Sequence, residues 1–183
     1  FQFFTSQPEV EPVHLEGKTM GSIVYNVKYT DEDNANYKSE VDSILISLNN
    51  SLSTYINDSE ISRLNQLQEI QNPSGMFTDV MKKSEEIWIA TYGAFDPTIG
   101  PLVNAWGFGP NGKPNFLDSV VVDSLIQYVG FGKLLFSQEK IAIEPGMYLD
   151  FSAIAKGYAV DLVAEFLEKK KIKNYMVEIG GEV

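Results

Sequence analysis

Apolar and polar positions alternate with a period of two over TMGSIVYNVKY, residues 19–29. The pattern predicts a strand with Ile23, Tyr25, Val27 and Tyr29 on one side. The spacing then changes. Val41, Ile44, Leu45, Leu48 and Leu52 fall on one stripe of a helix, with Ser39 placed to cap it. In STYINDSEISRLNQ, Asn57-Asp58-Ser59 reads as a turn and cap before a short helix. Asn72–Gly75 reads as a loop, and Thr78 as the cap of a helix running to about Thr91 that buries Val80, Ile87 and Trp88. Further on, residues 119–129 predict a helix ending at Gly130. KLLFSQ and KIAIE predict a hairpin, MYLDF a strand, residues 153–170 a helix and NYMVEIG a strand. Ile154, Tyr158, Leu162 and Phe166 recur every four residues, which marks them as the inward stripe of that last helix. Residues 1–17 have no period and carry two prolines, so residues 1–16 are expected to be an arm leading into a domain over 17–183. Strands and helices mix without regular alternation, which places the fold in the α+β class.

One segment breaks the pattern. YGAFDPTIGPLVNAWGFGPNGKPN holds five glycines and four prolines, so neither a finished helix nor an inner strand is expected there. It is also rich in aromatic residues, unlike a solvated linker. Structured loops of this length usually serve a function. At the other end, EIGGEV places Gly-Gly directly after a strand, which suggests the N-terminal portion of a longer protein.

Composition narrows the chemistry. The 183 residues carry a net charge of −11, with a sequence pI near 4.5. Such a surface repels a polyphosphate backbone, so no nucleic-acid partner is expected. There is no cysteine, which removes thiolate metal sites, disulfides and thiol catalysis. No run of about 18 apolar residues occurs, so no spanning helix is expected. His14 lies in the aperiodic arm without a role. Lys169, Lys170, Lys171 and Lys173 suit a helix C-terminus and need no ligand.

The stretch YLDFSAIAKGYAVD, residues 148–161, is the main chemical candidate. Lys156 lies about 200° around the helix from Ile154, off the inward stripe and within the first turn. A lysine beside free backbone N–H groups and the positive end of the dipole can hold a pyrophosphate-sized anion. Gly157 would let a ligand approach, and Asp150 could bond ligand hydroxyls, ring nitrogens or backbone N–H groups. A solvated lysine and a capping aspartate account for the same residues equally well.

Four segments in order, TMGSIVYNV, STYINDSEISRLN, GAFDPTIGPLVNAWGFG and DFSAIAKGYAVD with NYMVEIGGE, resemble the ApbE family, the FAD:protein FMN transferases. The likeness covers nearly all of residues 17–183. It implies an ApbE-like (T-fold-like) mixed sheet with packed helices. It further implies FAD as substrate, Mg²⁺ as metal, and transfer of FMN to a threonine hydroxyl of an acceptor protein, typically a flavin-carrying subunit of a redox pump. Such enzymes are commonly periplasmic or otherwise extracytoplasmic and lipid-anchored at the inner membrane; any anchor would lie outside these residues. Carried over by position, Met20, Tyr55, Ala94, Phe95, Asp96, Asp150 and Lys156 are the FAD-site candidates, and Ala153 offers a backbone carbonyl to the metal. No catalytic residue is assigned. In the family the side chains completing the metal site lie downstream of Glu-Ile-Gly-Gly-Glu, so this piece alone is expected to be inactive. An FAD-binding or FAD-pyrophosphatase relative and a non-catalytic extracytoplasmic binding domain are the alternative readings.

Overall fold

The computed structural model describes residues 11–110, 112–113 and 116–183. It separates into two compact units, one running to Leu45 and including Ala159–Val183, the other Ile46–Tyr158.

The first unit is built on a three-stranded antiparallel sheet. Strand β1 (Val13–Thr19) pairs with β2 (Ile23–Tyr29), and β2 with β6 (Tyr175–Ile179). Residues 13–16 therefore belong to the sheet and not to an arm, while the expected arm over residues 1–10 lies outside the described residues. The arm reading failed because His14, Glu16 and Lys18 are exposed around a single well-buried apolar residue, Leu15, so the period is barely expressed. TMGSIVYNVKY is likewise two elements. Thr19 ends β1 opposite Ile23, and Met20-Gly21-Ser22 make the hairpin turn, with Met20 (φ 46°) and Gly21 (φ 83°) both left-handed. Tyr25, Val27 and Tyr29 are buried on one face as the alternation requires, and Ile23 is half-buried. Gly17 faces Tyr25 across the ladder, where a Cβ would come within 2.7 Å of the phenol ring, so only glycine leaves the ring room.

Helix α1 (Lys38–Leu52) buries Val41, Leu45, Leu48 and Leu52 as the spacing predicts; Ile44 is half-buried. Ser39 lies inside the helix, not at its cap; the Asn36 side chain accepts from Lys38 N–H at 2.9 Å. Tyr25 donates to Asp42 Oδ1 and Lys38 Nζ to Asp42 Oδ2, each at 2.5 Å. Burial pushes the Asp42 carboxyl up, but these two donors outweigh it and leave its pKa below the usual carboxylate value.

The second unit holds helix α2 (Glu60–Leu67), strand β3 (Glu69–Gln71), helices α3 (Gly75–Ala90), α4 (Gly100–Ala105) and α5 (Ser119–Ile126), a 3-10 turn at Phe131–Lys133 and strands β4 (Leu135–Phe136) and β5 (Lys140–Ala142). Ser59 caps α2 as expected, accepting from Ser62 N–H at 3.1 Å. Helix α3 begins earlier than expected. Its cap is Ser74, which accepts from Phe77 N–H, while Thr78 is buried inside and returns its hydroxyl to the Gly75 carbonyl at 2.9 Å. Val80 is fully buried; Ile87 and Trp88 are half-buried. The predicted hairpin is β4–β5, with β3 pairing on the far side of β5; β3, only three residues long, was not foreseen. The α+β class holds, with both sheets antiparallel throughout.

Two corrections bear on the site. MYLDF is not a strand: only Tyr148 makes an isolated parallel bridge, with Ile99. In place of a neighbouring strand, the Asn65 side chain takes both backbone groups of buried Leu149, donating to its carbonyl at 2.9 Å and accepting from its N–H at 2.8 Å. Helix α6 (Ala155–Lys169) buries Ala155, Ala159, Val163 and Leu167, one residue later than the predicted stripe of Ile154, Tyr158, Leu162 and Phe166, which is half-buried. Both rows repeat every four residues. The larger side chains marked the wrong one, because a row opening with two alanines lets the helix backbone approach the core closely. Among the described residues no helix is long and apolar enough to cross a membrane.

Two outcomes follow from these contacts. The folded-state pKa of Asp42 is depressed, so its contribution is present above the ordinary carboxylate value of about 3.9 and fades as pH falls through the lower folded value. Asp42→Asn should therefore flatten the loss of stability on the acid side of about pH 4, read as urea midpoints across that range; an unchanged acid slope would contradict the assignment. Asn65→Leu strands two buried backbone groups and should cost about 2 kcal/mol or more. Asn65→Asp keeps the acceptor for Leu149 N–H but turns a carboxylate oxygen toward the Leu149 carbonyl, so it should cost stability as well. Equal urea midpoints for wild type and Asn65→Leu would mean that this side chain does not hold the segment.

Candidate functional site

The glycine- and proline-rich segment that follows α3 is ordered by its own hydrogen bonds. Asp96 is the centre. Its Oδ1 accepts from Thr98 N–H at 2.8 Å and from the Thr98 hydroxyl at 2.6 Å, and its Oδ2 accepts from Phe131 N–H at 2.9 Å. The Thr98 hydroxyl in turn accepts from Gly130 N–H at 2.7 Å. Pro97 offers its carbonyl to Asp150 N–H at 2.8 Å, and Ile99 bridges Tyr148. Gly100 then packs against Tyr148 so tightly that a Cβ would lie 2.5 Å from Tyr148 Cδ1 and nearer still to its carbonyl oxygen. Residues 96–100 thus hold the Tyr148–Asp150 stretch by backbone contacts, with Asn65 holding Leu149 from α2.

The segment is not wholly irregular. It contains α4, with Pro101 in the first turn, where its missing N–H costs no hydrogen bond. Sequence reasoning missed this helix because the glycines and prolines of the surrounding segment argue against one. Asn104, in the last turn of α4, fills the space beside Gly109, and beyond the helix Phe108 presents its carbonyl to the Tyr55 hydroxyl at 2.8 Å. Tyr55 is 64% exposed, and Trp106 and Phe108 also show much of their ring surface.

The predicted site residues fall out as follows. Ala94 is exposed and Phe95 half-buried, both held back to Thr91: Ala94 N–H donates to its carbonyl and Phe95 N–H to its hydroxyl, each at 3.1 Å. Asp96 is half-buried, with its carboxylate engaged by three donors of its own chain. Asp150 is 8% exposed, and its Oδ1 accepts from Ser152 N–H at 2.7 Å, which fixes the turn leading to α6. Ala153 is exposed in that turn, and Lys156 is half-buried in the first turn of α6. A Cβ at Gly157 would meet nothing within 4 Å, so the helix surface beside Lys156 is open. Met20 sits in the β1–β2 turn of the first unit, half-buried.

Six of the FAD candidates and Ala153 therefore lie in the second unit, and the hydrogen bonds of residues 96–100 connect the Asp96 and Asp150 stretches. Tyr148 belongs to the same neighbourhood. Burial, above all, raises its phenol above the usual value; the side chains of Asn65 and Asn104 oppose this by hydrogen bonding, while Asp150 and Tyr55 add to the rise. Thr98, Asn65 and Tyr148 were not singled out from the sequence. Asn65 acts on backbone groups distant in the chain, and Thr98 joins its neighbour Asp96 to the distant Gly130 N–H; no local pattern reveals these long-range bonds.

What this arrangement offers is a hydrogen-bonded turn with Ala94 exposed, aromatic surface at Tyr55, Trp106 and Phe108, and a lysine in the first turn of α6. These suit a ligand with a planar ring and a phosphate. For a divalent cation the described residues supply less. Ala153 can offer one carbonyl, but no group of three or more His, Cys, Asp or Glu side chains is gathered among them. Mg²⁺ prefers near-octahedral oxygen coordination, commonly with a carboxylate, so these residues do not by themselves fit a complete Mg²⁺ site.

The ApbE family model matches residues 20–183. Among curated proteins, an FAD:protein FMN transferase of Vibrio cholerae is 40% identical over 188 residues, covering 94% of this chain and 54% of its own length. That of Haemophilus influenzae is 40% identical over 193 residues, covering 97% and 55%. The chain thus spans about half the length of the curated relatives it matches. Of solved structures, the flavin transferase ApbE from Vibrio cholerae superposes with a TM-score of 0.84 at 39% identity, over 93% of this chain and 58% of that one. The apo form of the Pseudomonas stutzeri flavinyl transferase ApbE gives 0.86 at 33% identity, over 93% and 57%. By family model, sequence identity and fold together, this chain belongs to the ApbE family.

Proposed function

We propose that the chain supplies the FAD-binding part of an FAD:protein FMN transferase. The observation that carries the reading is the frame of residues 96–100, which ties the Ala94–Asp96 turn to Asp150 at the approach to the Lys156 helix start. In the proposed reaction a threonine Oγ of an acceptor protein attacks the FMN phosphorus of FAD. The pyrophosphate P–O bond breaks, AMP departs with the bridging oxygen, and the threonine proton is released. The product is FMN joined to threonine by a phosphoester.

This chain's residues would bind and orient. The backbone at Ala94 and Phe95 and the ring of Tyr55 would face a nucleotide or flavin. Lys156 offsets pyrophosphate charge that a chain of net charge −11 otherwise disfavours. Mg²⁺ dependence belongs to the proposal on the strength of the family likeness; the ion would stabilise charge developing on the phosphates. An extracytoplasmic, lipid-anchored setting and a redox-pump subunit as acceptor rest on the same likeness.

Lys156→Ala should weaken FAD binding about tenfold or more, the loss of one charge-assisted phosphate contact of roughly 1.5–3 kcal/mol, and Lys156→Arg should recover part of it. Titration of the full-length protein with FAD reads both, and equal affinity in the alanine variant would return Lys156 to a plain surface role. The activity itself is tested by incubating the full-length protein with FAD, Mg²⁺ and a threonine-bearing acceptor. A fluorescent flavin band on the acceptor in a denaturing gel, lost with EDTA, is expected. Free FMN without a band would favour a pyrophosphatase, and absence of FAD binding a non-catalytic domain.

A further inference from the structure

We infer that Thr98 is the positioning residue of this site, the side chain whose hydroxyl sets where the FAD-binding turn stands. The inference rests on the proposed function and names a residue that the sequence reading left out. Thr98 is fully buried, and its hydroxyl is used twice. It donates to Asp96 Oδ1 at 2.6 Å and accepts from Gly130 N–H at 2.7 Å. The next amide, Phe131 N–H, goes to the other oxygen of the same carboxylate at 2.9 Å. A closed ring of hydrogen bonds therefore joins residues 96–98 to residues 130–131, more than thirty positions away in the chain.

Gly130 has a φ of 148°, and Phe131 opens the 3-10 turn whose ring stacks on Trp88 of α3 at 5.8 Å between centroids. The ring of bonds is thus anchored on the packed core beside α3. Between its two members sits Pro97, whose carbonyl receives Asp150 N–H. Fixing Asp96 and Thr98 fixes Pro97, and with it the level at which the Asp150 stretch meets the Ala94–Asp96 turn. Thr98 is fully buried and offers no surface to a ligand. It acts by holding Asp96 in one rotamer and the two candidate FAD-contacting stretches in one register. Valine matches threonine in shape and lacks the hydroxyl, so Thr98→Val leaves Gly130 N–H without its acceptor and removes one of the two donors to Asp96 Oδ1, the backbone N–H of residue 98 remaining.

The test is steady-state flavin transfer by the full-length protein at varied FAD, with Thr98→Val, Thr98→Ala and Thr98→Ser beside wild type. A register fault in ground-state binding raises KM for FAD by about tenfold and changes kcat less than about threefold. A merely destabilised enzyme does the reverse, losing active fraction and hence kcat while KM stays put. Thr98→Ser keeps the hydroxyl and should return KM close to wild type. If the valine variant does not fold, the alanine variant, which also lacks the hydroxyl, gives the same reading against serine. An unchanged KM in a folded valine or alanine variant overturns the inference, as does a serine variant as impaired as valine. Wild-type protein that binds no FAD overturns the functional reading along with it, and direct FAD titration tells that case from the others.

Discussion

The carboxylate of Asp96 is the contact on which the candidate site depends. An ionised carboxylate accepts several hydrogen bonds, and bonds to a charged acceptor are stronger than neutral ones. Here it gathers the amide and hydroxyl of Thr98 and the amide of Phe131. A chain segment of Gly, Pro and aromatics has few backbone partners of its own, since it forms no ladder. Such a segment keeps one shape only if side chains take over that role. Asp96 does so for one end, Asn65 does so for Leu149, and the hydroxyl of Thr91 does so for Phe95. The result is a structured loop without sheet or long helix, held against the core through Phe131 and Trp88.

The same economy explains what was legible in the sequence. Elements whose burial is periodic could be read directly: β2 from Tyr25, Val27 and Tyr29, α1 from Val41, Leu45, Leu48 and Leu52, and the cap of α2 from Ser59. Elements defined by partners elsewhere in the chain could not. Strand β1 shows a single well-buried apolar side chain, Leu15, and β3 is three residues long; each is defined by an antiparallel partner of its own length, β2 and β5. MYLDF looked like a strand because it is apolar, yet its partner is the side chain of Asn65 and not a strand. The α6 stripe was misplaced by one residue because hydrophobic size favoured Ile154 and Phe166 over the small Ala155 and Ala159 that the close approach requires.

The candidate site was legible as a set of short motifs and not as a mechanism of support. Asp96, Asp150 and Lys156 stand in segments that resemble the family, and the structure connects the first two through the Pro97 carbonyl. The support was not legible because Asn65 makes its contacts 84 residues away and Thr98, beside its local bonds to Asp96, reaches Gly130 32 residues on, spans that no window contains. Charge is the other constraint. A chain of net charge −11 could hold a pyrophosphate only by concentrating positive potential locally, the role that the proposed function gives to Lys156.

The central claim, that side chains of residues 96–98 hold the 130–131 turn, is tested most directly by amide hydrogen exchange in the FAD-free protein. Gly130 and Phe131 lie outside the named strands and α-helices, where amides normally exchange fast. If their N–H groups are bonded to the Thr98 hydroxyl and the Asp96 carboxylate, they exchange as slowly as amides of the buried middle of α3, such as Met81. Exchange at the rate of an open loop would contradict the account.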